Sequence, residues 1–189
     1  MSINQVNRVP PRNLHSFVKT YHREVGFVVR FFVVFLAVNL LYFLVPDTVM
    51  EEVIFARLTA APVAAIIQFI SPADNMVAER ALLSSKHISL MVTVGCEGAQ
   101  SILILVSALI AYSLPLKRKI AGVICGVLFM YGMNIGRIVG VYYVTRYNPR
   151  ALDIAHLYVG QIFVIVMMFL FFIFWVWRSL LANEQERTG

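Results

Sequence analysis

The chain has 189 residues, of which 60% are hydrophobic and only 14% are charged, and its formal net charge is +6. This composition excludes an ordinary water-soluble domain and indicates one compact integral membrane protein. The basic residues cluster at the ends of apolar runs, as topology signals do, so the positive charge does not indicate binding to DNA or RNA.

Four apolar runs are long enough to cross a bilayer as helices. They cover residues 26–45, 98–114, 120–144 and 156–177. Residues 1–25 form a polar, basic segment that is expected to be cytoplasmic. The first run ends in Val45, Pro46 and Asp47 without a small-residue cleavage site, so we expect an uncleaved signal anchor.

A short basic loop sets the expected topology. Residues 115–119 include Lys117, Arg118 and Lys119 and form the most basic short connection in the chain, which predicts a cytoplasmic position. Because the first run leaves the cytoplasm and the second returns to it, residues 46–97 are expected to form a periplasmic cap. The additional apolar run at residues 53–70 therefore does not span the membrane in this prediction.

The cap is predicted to contain two elements. Residues 53–70 are expected to form an amphipathic or re-entrant helix at the outer interface. Residues 81–83 and 88–94 flank the turn-prone residues 84–86, a pattern typical of a β-hairpin. The predicted fold class is thus an all-α integral membrane protein, a four-transmembrane-helix bundle with an outer interfacial helix and a small β-hairpin cap.

Aromatic residues are expected to mark both membrane boundaries. Tyr142, Tyr143 and Tyr147 form a predicted outer belt, and Trp175 and Trp177 mark the inner edge of the last helix.

Arg137 lies within the apolar run at 120–144, where a cation indicates a functional site and requires a polar cavity with partners. It is about 17 residues into a helix that begins inside, which places it roughly 25 Å up, near the outer surface. Asn134, one turn earlier, is expected to help line the cavity. The same helix carries Gly132, Gly136 and Gly140 at a spacing that lets membrane helices approach closely.

Cys96 is the candidate nucleophile. It is expected at or just before the start of a helix, where unpaired backbone N–H groups favour the thiolate. Glu97 opposes ionisation of the thiol unless it turns outward or pairs with Arg137. The alternative is a buried, inert cysteine. Cys125 lies near the inner end of its helix, too far for a disulfide with Cys96, and is interpreted as a packing residue.

His156 is the candidate acid and base. It follows Asp153 by three residues, so the carboxylate is expected to lie near the cap of the last helix and orient the imidazole. Alone, His156 would equally suit a histidine at the membrane interface. One cysteine and one histidine without further clustered ligands do not make a zinc site, and no nucleotide motif is present, so no metal or cofactor is predicted.

The order Cys96, Arg137, His156 at the outer ends of successive helices resembles the exosortase and archaeosortase family. The local sequences are VGCEG at 94–98, NIGR at 134–137 and HLYVGQIF at 156–163. The resemblance covers about residues 53–177, and the short chain is similar to the compact exosortase H branch. Residues 1–189 are predicted to form a single exosortase-like domain. Glu97 departs from the small polar residue that many relatives have after the cysteine.

The resemblance implies a cysteine transpeptidase of the bacterial inner membrane with its active site facing the periplasm. Its substrates would be secreted proteins that end in a recognition motif, a transmembrane helix and a basic tail. Cys96 would be the nucleophile, His156 the acid and base, and Arg137 the group that stabilises the oxyanion. Two other classes stay open: a transporter component in which Arg137 binds an anion, and a non-catalytic membrane scaffold.

Overall fold

The computed structural model describes residues 22–151 and 160–188. Its helices are α1 (His22–Phe43), α2 (Asp47–Ile70), α3 (Ala99–Ala111), α4 (Leu116–Tyr147) and α5 (Gly160–Thr188). Three short strands, β1 (Val77–Glu79), β2 (Leu82–Ser84) and β3 (Ser89–Met91), lie between α2 and α3. Single 3₁₀ turns occupy Pro72–Asp74 and Pro149–Ala151. The predicted fold class, a membrane helix bundle with a small β cap, is confirmed.

The helix bundle consists of α1, α3, α4 and α5, and α3 packs against each of the other three. Its core is formed by large apolar side chains from α3, α4 and α5, namely Leu105, Leu109, Met130, Val164 and Met168. The burial of these residues fixes α3 inside the bundle although the helix is short.

Polar contacts join the start of α4 to the end of α3 and to the C-terminal half of α5. Lys119 Nζ donates to the carbonyl oxygen of Ile110 at 2.7 Å, and Arg118 Nη1 donates to the carbonyl oxygen of Ser179 at 2.7 Å. Trp175 Nε1 donates to the carbonyl oxygen of Arg118 at 3.1 Å. The start of α4 therefore lies beside the end of α3 and the C-terminal half of α5, and Trp175 lies at the end of the bundle that carries the basic loop.

Helix lengths differ from the predicted spans. Among the described residues, α1, α2, α4 and α5 are long and apolar enough to cross a membrane, whereas α3 has 13 residues. At 1.5 Å per residue α3 is about 20 Å long, shorter than the predicted run at 98–114. The run is shortened because Gly98 has a φ of +77° before the helix and the chain is extended at Tyr112 after it.

α2 begins earlier than predicted, at Asp47, and is π-helical over Met50–Ala60. It packs against the C-terminal half of α4: Tyr131 Oη donates to the carbonyl oxygen of Leu58 at 2.7 Å, and the hydroxyls of Ser71 and Tyr143 lie 2.9 Å apart. Its length and composition also suit a membrane span, so the interfacial placement of α2 stays a prediction.

A second core joins α2, the sheet and the C-terminal half of α4. Its buried members include Phe55, Val63, Ile67, Leu83, Val92, Ile135, Ile138 and Tyr142. We call this end of the bundle the sheet end. The site described below lies where this second core meets the bundle.

The predicted hairpin is confirmed as β2 and β3, which pair antiparallel with Leu83 opposite Leu90. The structure adds β1, which pairs with the other side of β2 and places Ala78 opposite Leu83. β1 was not predicted because three residues are too few to show the alternation of apolar and polar side chains that marks a strand.

Asp74 ties the sheet to α4. Its side chain is fully buried, and Oδ2 accepts hydrogen bonds from Tyr142 Oη at 2.8 Å and from Arg146 Nη1. His87 Nε2 lies 3.6 Å from Oδ1. Tyr142 is therefore buried against this carboxylate, and its predicted place in the outer aromatic belt was wrong.

Asp74→Ala is expected to loosen the sheet from α4. It leaves Arg146 and Tyr142 without their acceptor, which costs about 2 to 4 kcal/mol of unfolding free energy. Limited proteolysis of the cap in isolated membranes would show faster cleavage around residues 80–86. Asp47→Ala, at an exposed position, is the matched control. Equal protease resistance of the two variants would contradict the role given to Asp74.

The glycines of α4 pack differently from the prediction. A Cβ at Gly122 would lie 2.3 Å from Trp175 Nε1, so this glycine permits a close contact with α5. Gly132, Gly136 and Gly140 have no described atom within 4 Å of such a Cβ. Their four-residue spacing therefore does not reflect packing among the helices that the structure describes.

Candidate active site

A tight turn before α3 presents Cys96. The backbone N–H of Cys96 donates to the carbonyl oxygen of Thr93 at 2.9 Å, and Gly95 has a φ of +91°, which favours glycine. Gly98 also has a positive φ, and a Cβ there would lie 2.5 Å from Asn134 Cγ. The two glycines thus allow the turn to form and to press closely against α4. Cys96 precedes the first residue of α3 by three positions.

Arg137 holds this turn from α4. Its side chain is buried, with 7% of the residue exposed, and Nη2 donates to the carbonyl oxygen of Cys96 at 3.0 Å. Two longer hydrogen bonds run from Nη2 to the carbonyl oxygen of Gly95 at 3.5 Å and from Nη1 to Gln161 Oε1 at 3.4 Å. Nε is buried without a hydrogen-bond partner among the described residues. The predicted need for polar partners is confirmed, and these partners are neutral oxygens.

Asn134 reinforces the same contact. It is 2% exposed, and Nδ2 donates to the carbonyl oxygen of Cys96 at 3.0 Å. Two side chains of α4, one turn apart, therefore bind one backbone oxygen of the candidate nucleophile. The two bonds therefore hold the Cys96 turn against α4.

Glu97 differs from both predicted possibilities. It is 6% exposed, so it does not turn outward, and Oε1 accepts a hydrogen bond from Tyr42 Oη at 2.9 Å. In the part of the chain that the structure describes, no ion pair joins Glu97 to Arg137. The bond to Tyr42 links α1 to the turn, across 55 residues of sequence.

A cavity of about 320 Å³ opens beside the turn. Cys96, Thr93 and Arg137 lie on one side, and the other walls are formed by Leu83, Ser89, Leu90, Met91, Val92, Ile138 and Val141. Thr93 Oγ1 is 3.7 Å from Cys96 Sγ, within the range of a weak hydrogen bond to sulfur. The thiol and the guanidinium therefore share one mostly apolar cavity at the sheet end.

The other predicted residues fall elsewhere. His156 and Asp153 lie outside the described residues. No disulfide joins Cys96 and Cys125, as predicted. Cys125 is exposed on α4, so its interpretation as a packing residue was wrong.

The structure also identifies residues that were not singled out from the sequence. Gln161 contacts Arg137, and a glutamine within a predicted membrane span is a usable signal because polar side chains are costly there. Tyr42 and Thr93 offered no comparable signal. Their roles depend on contacts that appear only once the chain has folded.

A model of the transmembrane exosortase family matches residues 23–173. No curated protein and no solved structure matches the chain. The matched region contains Cys96, Arg137 and the residues that line the cavity.

Proposed function

The chain belongs to the transmembrane exosortase family, and we propose on that premise that it is a cysteine transpeptidase acting on C-terminal sorting signals. The substrates would be secreted proteins that carry a short motif, a transmembrane helix and a basic tail. The observation that supports this proposal most is the shared cavity of Cys96 and Arg137 at the sheet end.

In the proposed reaction, the Cys96 thiolate attacks the scissile carbonyl carbon and forms a C–S bond. The oxyanion of the tetrahedral intermediate is stabilised by the Arg137 guanidinium, whose Nε–H is available among the described contacts. The C–N bond then breaks, and His156, oriented by Asp153, gives its proton to the departing amine. A thioester to Cys96 remains.

The second half of the reaction releases the enzyme. An acceptor nucleophile, or water, attacks the thioester carbonyl, and the C–S bond breaks to return the Cys96 thiolate. The proton of the acceptor passes to His156, which restores the starting state. A substrate anchored in the same bilayer reaches the cavity by lateral diffusion, so no soluble capture step is needed.

The negative charge of Glu97, the next residue in the sequence, opposes formation of the Cys96 thiolate. The hydrogen bond from Tyr42 Oη holds Oε1 of this carboxylate toward α1 without removing its charge, so the compensating positive charge must come from Arg137. Arg137 supplies a positive charge in the same cavity as the thiol. A nearby cation favours a thiolate over a thiol.

We propose that the protein resides in a bacterial inner membrane, with the sheet end in the periplasm. Reporter fusions within residues 115–119 and within residues 84–86 are expected to report opposite sides, the first cytoplasmic and the second periplasmic. Alkaline phosphatase and green fluorescent protein fusions at both positions would measure this. Identical sides for the two loops would reject the topology and, with it, the periplasmic active site.

A further inference from the structure

β3 is an edge strand that borders the cavity. The sheet order is β1, β2, β3, so β3 has a partner strand on one side only among the described residues. Every residue of β3 and of its continuation lines the cavity that contains Cys96. These residues are Ser89, Leu90, Met91, Val92 and Thr93.

The backbone hydrogen bonds between β2 and β3 show which N–H and C=O groups of β3 point toward its open edge. The N–H of Val92 donates to the carbonyl oxygen of Ala81 at 2.8 Å, so Val92 belongs to the residues of β3 that bond to β2. In an antiparallel pair these residues alternate with residues whose N–H and C=O point away. Ser89 and Met91 therefore direct their backbone donors and acceptors to the open edge, and both residues are exposed.

β3 runs toward the candidate nucleophile. Three residues before β3, the N–H of Lys86 donates to the carbonyl oxygen of Asp74, whose carboxylate binds Arg146. Five residues after β3, the carbonyl oxygen of Cys96 binds Arg137. Arg137 and Arg146 are nine residues apart on α4, about 14 Å, so β3 descends from the end of α4 to the level of Cys96.

We propose that the substrate segment preceding the scissile bond binds as an added β-strand on the open edge of β3. This inference rests on the proposed function. The leaving part of the substrate is the membrane helix, which must lie deeper than Cys96, so the added strand runs parallel to β3. Backbone hydrogen bonds to Ser89 and Met91 would supply affinity, and alternate side chains would enter the apolar cavity.

The cavity wall indicates which side chains the substrate strand would carry. Leu90, Ile138 and Val141 present apolar surface beside the open edge. An added strand places every second side chain on this wall. The chemical class of ligand is therefore an extended peptide with apolar side chains at alternating positions, ending at the carbonyl group that Cys96 attacks.

Site-specific photocrosslinking tests the docking itself. A benzophenone amino acid is placed at Met91, which is 69% exposed, or at Val77 on the opposite edge, which is 52% exposed. Both are made in a Cys96→Ala background. The probe is a soluble reporter domain fused to the motif, helix and basic tail of a protein from the same genome. We expect crosslinks from position 91, to residues preceding the helix, at least tenfold above those from position 77. Equal or absent crosslinks would overturn the inference.

Loss of one backbone donor tests the hydrogen bonds. Met91→Pro removes the N–H at the open edge and leaves the ladder to β2 intact, whereas Met91→Ala removes only the side chain. Cleavage of the reporter is expected to fall about tenfold or more for proline, and less than threefold for alanine. If the proline variant is not recovered in the membrane, the crosslinking result decides.

The two experiments separate this inference from the proposed function. Crosslinks from position 91 with no cleavage by the wild-type protein would support the strand docking and reject the transpeptidase. Cleavage that survives Met91→Pro without crosslinks from position 91 would reject the docking and leave the transpeptidase in place.

Discussion

Cys96→Ala is expected to abolish cleavage of the sorting-signal reporter while the protein remains inserted and folded. Without the thiol no thioester forms, and removal of a catalytic nucleophile reduces the rate by at least about 10³-fold. The side chain is only partly buried and its backbone carbonyl carries the bonds to Arg137 and Asn134, so the substitution preserves the turn. Processing in cells and with purified protein would measure the loss.

Cys125→Ser is the matched control for this substitution. Cys125 carries the same thiol at an exposed position on α4, and we expect cleavage within twofold of the wild type. Cys96→Ser replaces sulfur by oxygen at the same position. We expect it to be nearly as defective as Cys96→Ala, because a hydroxyl ionises far less readily than a thiol and is the weaker nucleophile. Full processing by Cys96→Ala at normal abundance would reject the nucleophile assignment and favour a scaffold.

The overall fold could be predicted because membrane-spanning helices appear in a sequence as long apolar runs bounded by basic residues. Apolar runs predicted the helices, and the start of α4 lies beside the end of α3 and the C-terminal half of α5, as expected for helices that alternate in direction. The cytoplasmic position of the basic loop at 115–119 stays a prediction. The hairpin at β2 and β3 followed from turn-prone residues between apolar segments. These signals are local, so one sequence suffices to detect them.

The internal contacts of the site were less predictable, because hydropathy cannot rank partners when nearly all side chains are apolar. The bond between Tyr42 and Glu97 joins residues 55 positions apart, and no local pattern marks it. The carboxylate of Asp74 also binds a residue of α4 far along the chain. Arg137 was found because a membrane-embedded cation is rare. Its partners, two backbone carbonyls and a glutamine, were not identifiable.

Arg137 makes a positioning contact in the structure and has a catalytic role in the proposed reaction. Its Nη2 holds the carbonyl oxygen of Cys96, which is a positioning role, and its proposed interaction with the oxyanion is a catalytic one. Asn134 shares the positioning contact at the same distance of 3.0 Å. Asn134→Ala therefore removes one of the two donors to this oxygen and leaves the guanidinium in place, which makes it the matched control for a change at Arg137.

Arg137→Lys is expected to lower the rate of reporter cleavage by about 10²- to 10³-fold, since lysine keeps the charge but loses the planar pair of donors.

The rate of Cys96 alkylation by iodoacetamide, measured in a Cys125→Ser background, separates the two roles because alkylation develops no oxyanion. If Arg137 stabilises the oxyanion, cleavage falls while alkylation stays within about threefold of the parent, and Asn134→Ala loses far less cleavage. If Arg137 only positions or ionises the thiol, both rates fall together and Asn134→Ala shows a comparable defect. Near-normal cleavage by the lysine variant, at matched membrane abundance, would assign Arg137 to structure alone.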